Sequence, residues 1–221
     1  MYKKITRTTD TKVSEIISQW LYSNLYNKLD KGNWVVNVDR LGQLGGIDLW
    51  NKRTGDTVDE KCRITDIERA HKRKIDTFAV ELGWKKRNGD RVKGWGLSPY
   101  NTPTYYNFIW LRKFDVKDMK RLRPEHIREA ECLFVRKETM QTFMKDVIGY
   151  EDEIWEVVNW LWNKKIDRKY YKDKYGYPSC HMTRSWQLQE CPVNLVVPKS
   201  VWDRLATHIY YVYNGRYEVI K

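Results

Sequence analysis

Several features that would place a chain in a class at once are scarce here or missing. No apolar run approaches the roughly 18 residues of a membrane-crossing helix, and the opening MYKKITRTTD lacks the apolar core of a secretory signal. The expectation is a soluble, cytoplasmic protein. There are 4 cysteines, Cys62, Cys132, Cys180 and Cys191, far apart and without any C-x-x-C pair, which favours reduced thiols over a disulfide framework. Zinc-type ligands gather in sequence only at Cys180, His181, Cys191 and His208, where ordinary side chains are the plainer reading. Glycine (12) and proline (6) are sparse and no stretch rich in Pro, Gly or Ser divides the chain. A single domain over residues 1–221 is expected, with a core over 1–148 and a C-terminal elaboration over 149–221.

What is abundant is positive charge and aromatic surface. Lys and Arg number 41 against 29 Asp and Glu, a net charge of +12, and the chain carries 11 Trp and 15 Tyr. Such a chain buries enough ring surface to fold at a mean hydropathy of −0.75. The charge favours a polyanion as partner, by long-range attraction and by release of counterions. DNA is the expected partner, RNA is also compatible, and a membrane is not expected.

Chemistry concentrates in residues 45–63, GGIDLWNKRTGDTVDEKCR. Two stretches of strand character are joined by the turn-rich NKRTGD, whose Asn, Gly and Asp suit a tight reversal, so an antiparallel hairpin is predicted. Alternation along the second strand puts Asp59, Lys61 and Arg63 on one face and Val58, Glu60 and Cys62 on the other, with Asp48 across from the first set. Two carboxylates and an ammonium converging beside a sheet are costly to desolvate together, and a divalent cation commonly offsets that cost. The plain alternative is a solvated hairpin whose charges keep an edge strand soluble.

Gly46-Ile47-Asp48-Leu49 followed by Asp59-Glu60-Lys61 resembles the signature of the PD-(D/E)xK nuclease superfamily, which includes restriction-endonuclease-like and Holliday-resolvase-like enzymes of phage and bacteria. The chain departs from the pattern at Ile47, where proline is usual, and at Glu60, where an apolar residue is usual. The resemblance implies an α/β fold with a mixed central sheet flanked by helices. It also implies a magnesium- or manganese-dependent endonuclease. Asp48, Asp59 and the backbone carbonyl of Glu60 would hold the metal, and Lys61 would serve the attacking water. In that family the first helix adds a Glu to the metal site, and Glu15 holds the matching place. At 100° per residue, however, Glu15 falls nearly opposite the apolar stripe of its helix.

Elsewhere the chain reads as scaffold and basic surface. A helix is predicted over residues 11–29, with Val13, Ile17, Trp20 and Leu21 facing inward, and a first strand over 34–40. Residues 64–74 form a basic connection whose Lys72 and Arg73, with Arg63, suit phosphate contacts. Residues 76–82 read as a strand leading into GWKKRNGDRVKGWG, a flap whose Lys85, Lys86, Arg87, Arg91 and Lys93, interleaved with Trp84 and Trp95, suit a grip on nucleic acid. Residues 105–111, YYNFIWL, are predicted as a central strand. Two strand-helix units follow, over 132–147 and 194–209, and between them residues 152–165 form a helix that is acidic at its start and basic at its end. Residues 167–177 mix tyrosines with cations as a nucleic-acid contact or a surface loop would. Rival readings are a basic nucleic-acid-binding protein whose nuclease site is absent or decayed, and a phage structural or interaction protein. A homodimer is compatible with all of them.

Overall fold

Residues 105–110 are buried without a break, which in a strand means that both faces are covered. The computed structural model describes residues 7–39, 42, 45–63, 76–171 and 180–221. In it the covered strand, β6 (Tyr105–Phe114), is central to a seven-stranded mixed sheet, whose other strands are β1 (Trp34–Val36), β2 (Leu49–Asn51), β3 (Thr57–Arg63), β7 (Ile127–Arg136), β11 (His208–Tyr213) and β12 (Arg216–Val219). The order is β1-β2-β3-β6-β7-β11-β12, and β3 with β6 is its one parallel pair. A five-stranded antiparallel sheet of order β5-β4-β10-β9-β8 forms a second layer, built from β4 (Thr77–Lys85), β5 (Arg91–Lys93), β8 (Arg168–Tyr171), β9 (Cys180–Arg184) and β10 (Val193–Pro198). The α/β expectation holds in this mixed form.

Each face of the large sheet has its own core. On one side lies α1 (Arg7–Leu21), whose Val13, Ile17, Trp20 and Leu21 pack with Leu49, Val58, Ile109 and Phe134. The helix does not run on to residue 29. It passes into a π-turn over Tyr22–Tyr26, closed by the Asn27 N–H donating to the Tyr22 carbonyl at 3.1 Å, and the wider turn buries Leu25 and Tyr26. On the other side, Phe78, Val80 and Leu82 of β4 and Leu195 and Val197 of β10 meet Tyr106, Phe108 and Trp110 of β6. Phe78 and Phe108 have ring centroids 4.6 Å apart. The helices α2 (Lys137–Val147), α3 (Glu151–Lys164) and α4 (Lys199–Leu205) complete this second core.

Three further expectations change. The first strand stops at Val36, one residue before the Asn37 N–H donates to the Asp48 carbonyl at 2.7 Å, and does not run to residue 40. The helix expected to run to residue 209 ends at Leu205: the Thr207 N–H donates to the Phe134 carbonyl at 2.8 Å, and His208 opens a strand that pairs along β7. The expectation of one central sheet with helices on its faces becomes two packed sheets, since β10 from the C-terminal part pairs with β4 from the first half.

Candidate functional site

The hairpin forms as its turn chemistry dictates, with Leu49 opposite Val58 and Trp50 opposite Thr57. Directly opposed residues share a face. Leu49 and Val58 are fully buried under α1, so Thr57, Asp59, Lys61 and Arg63 point away from that helix. Asp59 is only 2% exposed. Its Oδ1 accepts from Lys61 Nζ at 2.5 Å and its Oδ2 from Asn101 Nδ2 at 3.1 Å. Burial, opposed by the charge of Lys61 and assisted by that of Asp48, raises the Asp59 carboxyl to about 6. Lys61 also lies 5.2 Å from the centre of the Trp95 ring, which holds the ammonium from the side of the second sheet.

Asp48 is brought to the same place by the start of β2. Its backbone N–H donates to the Val58 carbonyl at 2.8 Å, and its Oδ2 accepts from the Glu60 N–H at 2.7 Å. The negative charge of Asp48 disfavours ionisation of both Asp59 and Glu60, so the carboxylates are electrostatically coupled.

Sequence reasoning missed Asn101. It sits between Pro99 and Pro103 on the approach to β6, 8% exposed, and only the fold brings it to Asp59. Its Oδ1 is buried and accepts no hydrogen bond, which is rare for an interior amide. Two contacts hold it there: its backbone carbonyl accepts from Lys137 Nζ, and the Thr102 N–H donates to the Gly45 carbonyl at 3.0 Å. Gly46 lies against the amide at φ +72, where an added Cβ would come 2.6 Å from Asn101 Oδ1. Glycine is required twice, for the backbone angle and for the space.

Glu60 faces the other way, under α1. Its Oε1 accepts from the Tyr26 hydroxyl at 2.6 Å, and that hydroxyl accepts in turn from Asn107 Nδ2 at 2.6 Å. Burial, opposed by hydrogen bonds from Ser18 and Tyr26, raises the Glu60 carboxyl to about 7. Burial also pushes the neighbouring Cys62 and Cys132 thiols up. The charged residue in the middle of the D-x-K triplet is thus explained by a dedicated polar cradle.

The remaining predicted site residues are dispersed. Glu15 is exposed on α1, which packs on the Glu60 face, so it is not brought to Asp59. Arg63 is tied to β4, its Nη1 donating to the Thr77 carbonyl and, at 2.9 Å, to Thr77 Oγ1. Lys72 and Arg73 fall outside the described residues. Within the flap, Lys85 and Arg91 lie over Trp162 of α3 at 5.4 and 5.5 Å, Arg91 donates to Asn159 and Asn163, and Lys93 pairs with Glu151 at 2.5 Å. Only Lys86 and Arg87 of the five stand exposed without such a partner on α3. Among the described residues no three His, Cys, Asp or Glu side chains gather as a metal cluster. Asp48 and Asp59 are electrostatically coupled, and the Asn101 amide is hydrogen-bonded to Asp59. Comparison with protein-family models, with curated proteins and with solved structures returned no match.

Proposed function

We propose that this chain is a metal-dependent DNA endonuclease of the PD-(D/E)xK type with a restriction-endonuclease-like core. One observation carries the reading: a buried carboxylate, Asp59, is held between an ammonium and an amide whose own oxygen is left without a partner. An orphaned buried oxygen costs about 1–3 kcal/mol, and a bound cation would offset that cost. Oxygens of Asp48, Asp59 and Asn101 are the hard donors that magnesium or manganese prefers, so the residues present fit the ion. When bound, such an ion polarises a phosphoryl oxygen and acidifies water.

The chain's own residues do the rest. Asp59 holds the Lys61 ammonium on the site face of β3, and Trp95 limits where it can move. From there Lys61 is placed to orient the attacking water and to exchange a proton at its Nζ. Asn101 fixes the orientation of the Asp59 carboxylate through Oδ2. The net charge of +12 favours association with a polyanion.

The test is cleavage of plasmid and oligonucleotide DNA with magnesium, by the native chain and by Asp59→Asn. The reading expects cleavage that needs the metal and is lost in the variant. A native chain that binds DNA but cuts none of the linear, nicked, branched or supercoiled forms overturns it. Such a result would favour a binding protein with a decayed site, which the exposed position of Glu15 already suits.

A further inference from the structure

The face of the large sheet that carries Asp59 is covered unevenly. Residues of β4 and β10 pack over β6 and β7, yet among the described residues none of β1 or β2 joins that core. The site therefore lies at a step in the described structure, with residues 94–102 on one side and, on the other, β1 and β2, which no described residue of that core joins.

Large aromatic rings stand on both parts of the step. Trp50, opposite Thr57 in the hairpin, projects from the same face as Asp59 and Lys61, two residues along from Asp48, and is 40% exposed. Tyr100 is 82% exposed and directly precedes Asn101, whose amide holds Asp59. Isolated exposed rings are ordinary on a surface. Here one ring shares the strand face of Asp48 and the other adjoins Asn101 in sequence, on a chain of charge +12, so both are attached to elements that build the site.

That combination selects among nucleic acids. A base inside a duplex is stacked on both sides and offers only its edge, whereas an unpaired base offers a ring face. We infer that the site takes single-stranded nucleic acid, with bases on either side of the attacked phosphate stacked against Trp50 and Tyr100. The inference rests on the nuclease reading for what happens at that phosphate, and on the exposed rings for what lies beside it. Duplex contacts through phosphates alone would leave both rings without a role.

The test is fluorescence anisotropy in EDTA, so that binding is read without cutting. The probes are a short labelled oligonucleotide and its blunt duplex, and the proteins are the native chain, Trp50→Ala, Tyr100→Ala and the two Phe variants. The native chain should prefer the single strand. Each alanine variant should weaken that binding by roughly five-fold to a hundred-fold, the scale of one base stack removed, and change duplex binding by less than about two-fold. Phe variants should keep most of the affinity, and thermal melts of the Tyr100 variants should be unchanged because that ring is 82% exposed. Equal or tighter binding of the duplex by the native chain, or alanine variants that hold the single strand as before, would overturn the inference. The two readings separate when magnesium is added. Aromatic-dependent binding with no cutting defeats only the nuclease reading, and cutting of duplex that ignores both rings defeats only this one.

Discussion

The two faces of β3 carry adjacent carboxylates in opposite circumstances. Asp59 points away from α1, where an ammonium and an amide hold it and the charge of Asp48 disfavours its ionisation. Glu60 points under α1, where Tyr26 and Asn107 enclose it in a hydrogen-bonded chain. Burial raises both acids, to about 6 and about 7. Their partners differ in kind. Asp59 is held by a lysine ammonium and an amide and feels a second carboxylate, whereas Glu60 is held by the neutral hydroxyl of Tyr26, which Asn107 supports in turn. A raised pKa alone therefore does not separate the two; the charged partner of one and the neutral hydrogen-bonded chain of the other do.

The largest expected effect comes from breaking the Asp59 side. Lys61→Ala should fold normally, bind DNA nearly as well as the native chain and lose cleavage by at least about a hundred-fold. Lys61→Arg should fail as well, since a guanidinium does not give up its proton. Both outcomes are read from initial rates on a labelled substrate. Gly46→Ala should act next most strongly, because its left-handed backbone costs a non-glycine residue about 1–2 kcal/mol and its Cβ would push Asn101 off Asp59. Lower thermal stability together with weaker metal binding would sharpen the comparison, and loss of stability alone would blunt it.

The Glu60 side should answer through stability. Glu60 keeps its proton in the folded chain up to about pH 7, against 4.5 ordinarily. The folded chain then binds more protons than the unfolded one between those values. The stability this contributes is complete below about pH 4.5 and is lost as pH rises towards 7. Glu60→Gln, which keeps an acceptor for Tyr26 without the charge, should flatten that fall and raise Tm at pH 8 by roughly 2–4 °C, the change expected from about 1 kcal/mol in a chain of this size. A melt series from about pH 5 to pH 8 decides it.

The smallest effect is expected at the flap. Lys86→Ala with Arg87→Ala should lower the salt dependence of DNA binding by about one unit of slope for each phosphate no longer neutralised. Neutralising Arg91 or Lys93, which are held against α3, should disturb the flap more than the slope.

What the sequence disclosed was local. The hairpin, the run at residues 105–111 and the acidic start of α3 each carry their signal within a short stretch of chain, and each forms as read. Alternation also placed Asp59 and Lys61 together on the face opposite Glu60. What stayed hidden was placed by contacts distant in sequence. The pairing of β10 with β4 that creates the second sheet joins the C-terminal part to the first half, and no periodicity announces it. Asn101 sits in a stretch that reads as a mere approach to a strand, and it becomes part of the site only because β6 runs parallel to β3. The flap cations looked like a free grip until α3 supplied partners for them, and Glu60 looked like a flaw in a motif until the π-turn delivered Tyr26.

Calorimetric titration of manganese into the native chain and into Asp59→Asn tests the contrast between the two faces most directly. The account predicts a binding isotherm for the native chain that is lost in Asp59→Asn and retained in Glu60→Gln, with Asn101→Ala weakened between them. No heat of binding in the native chain, or equal affinity in the native chain and Asp59→Asn, would contradict it.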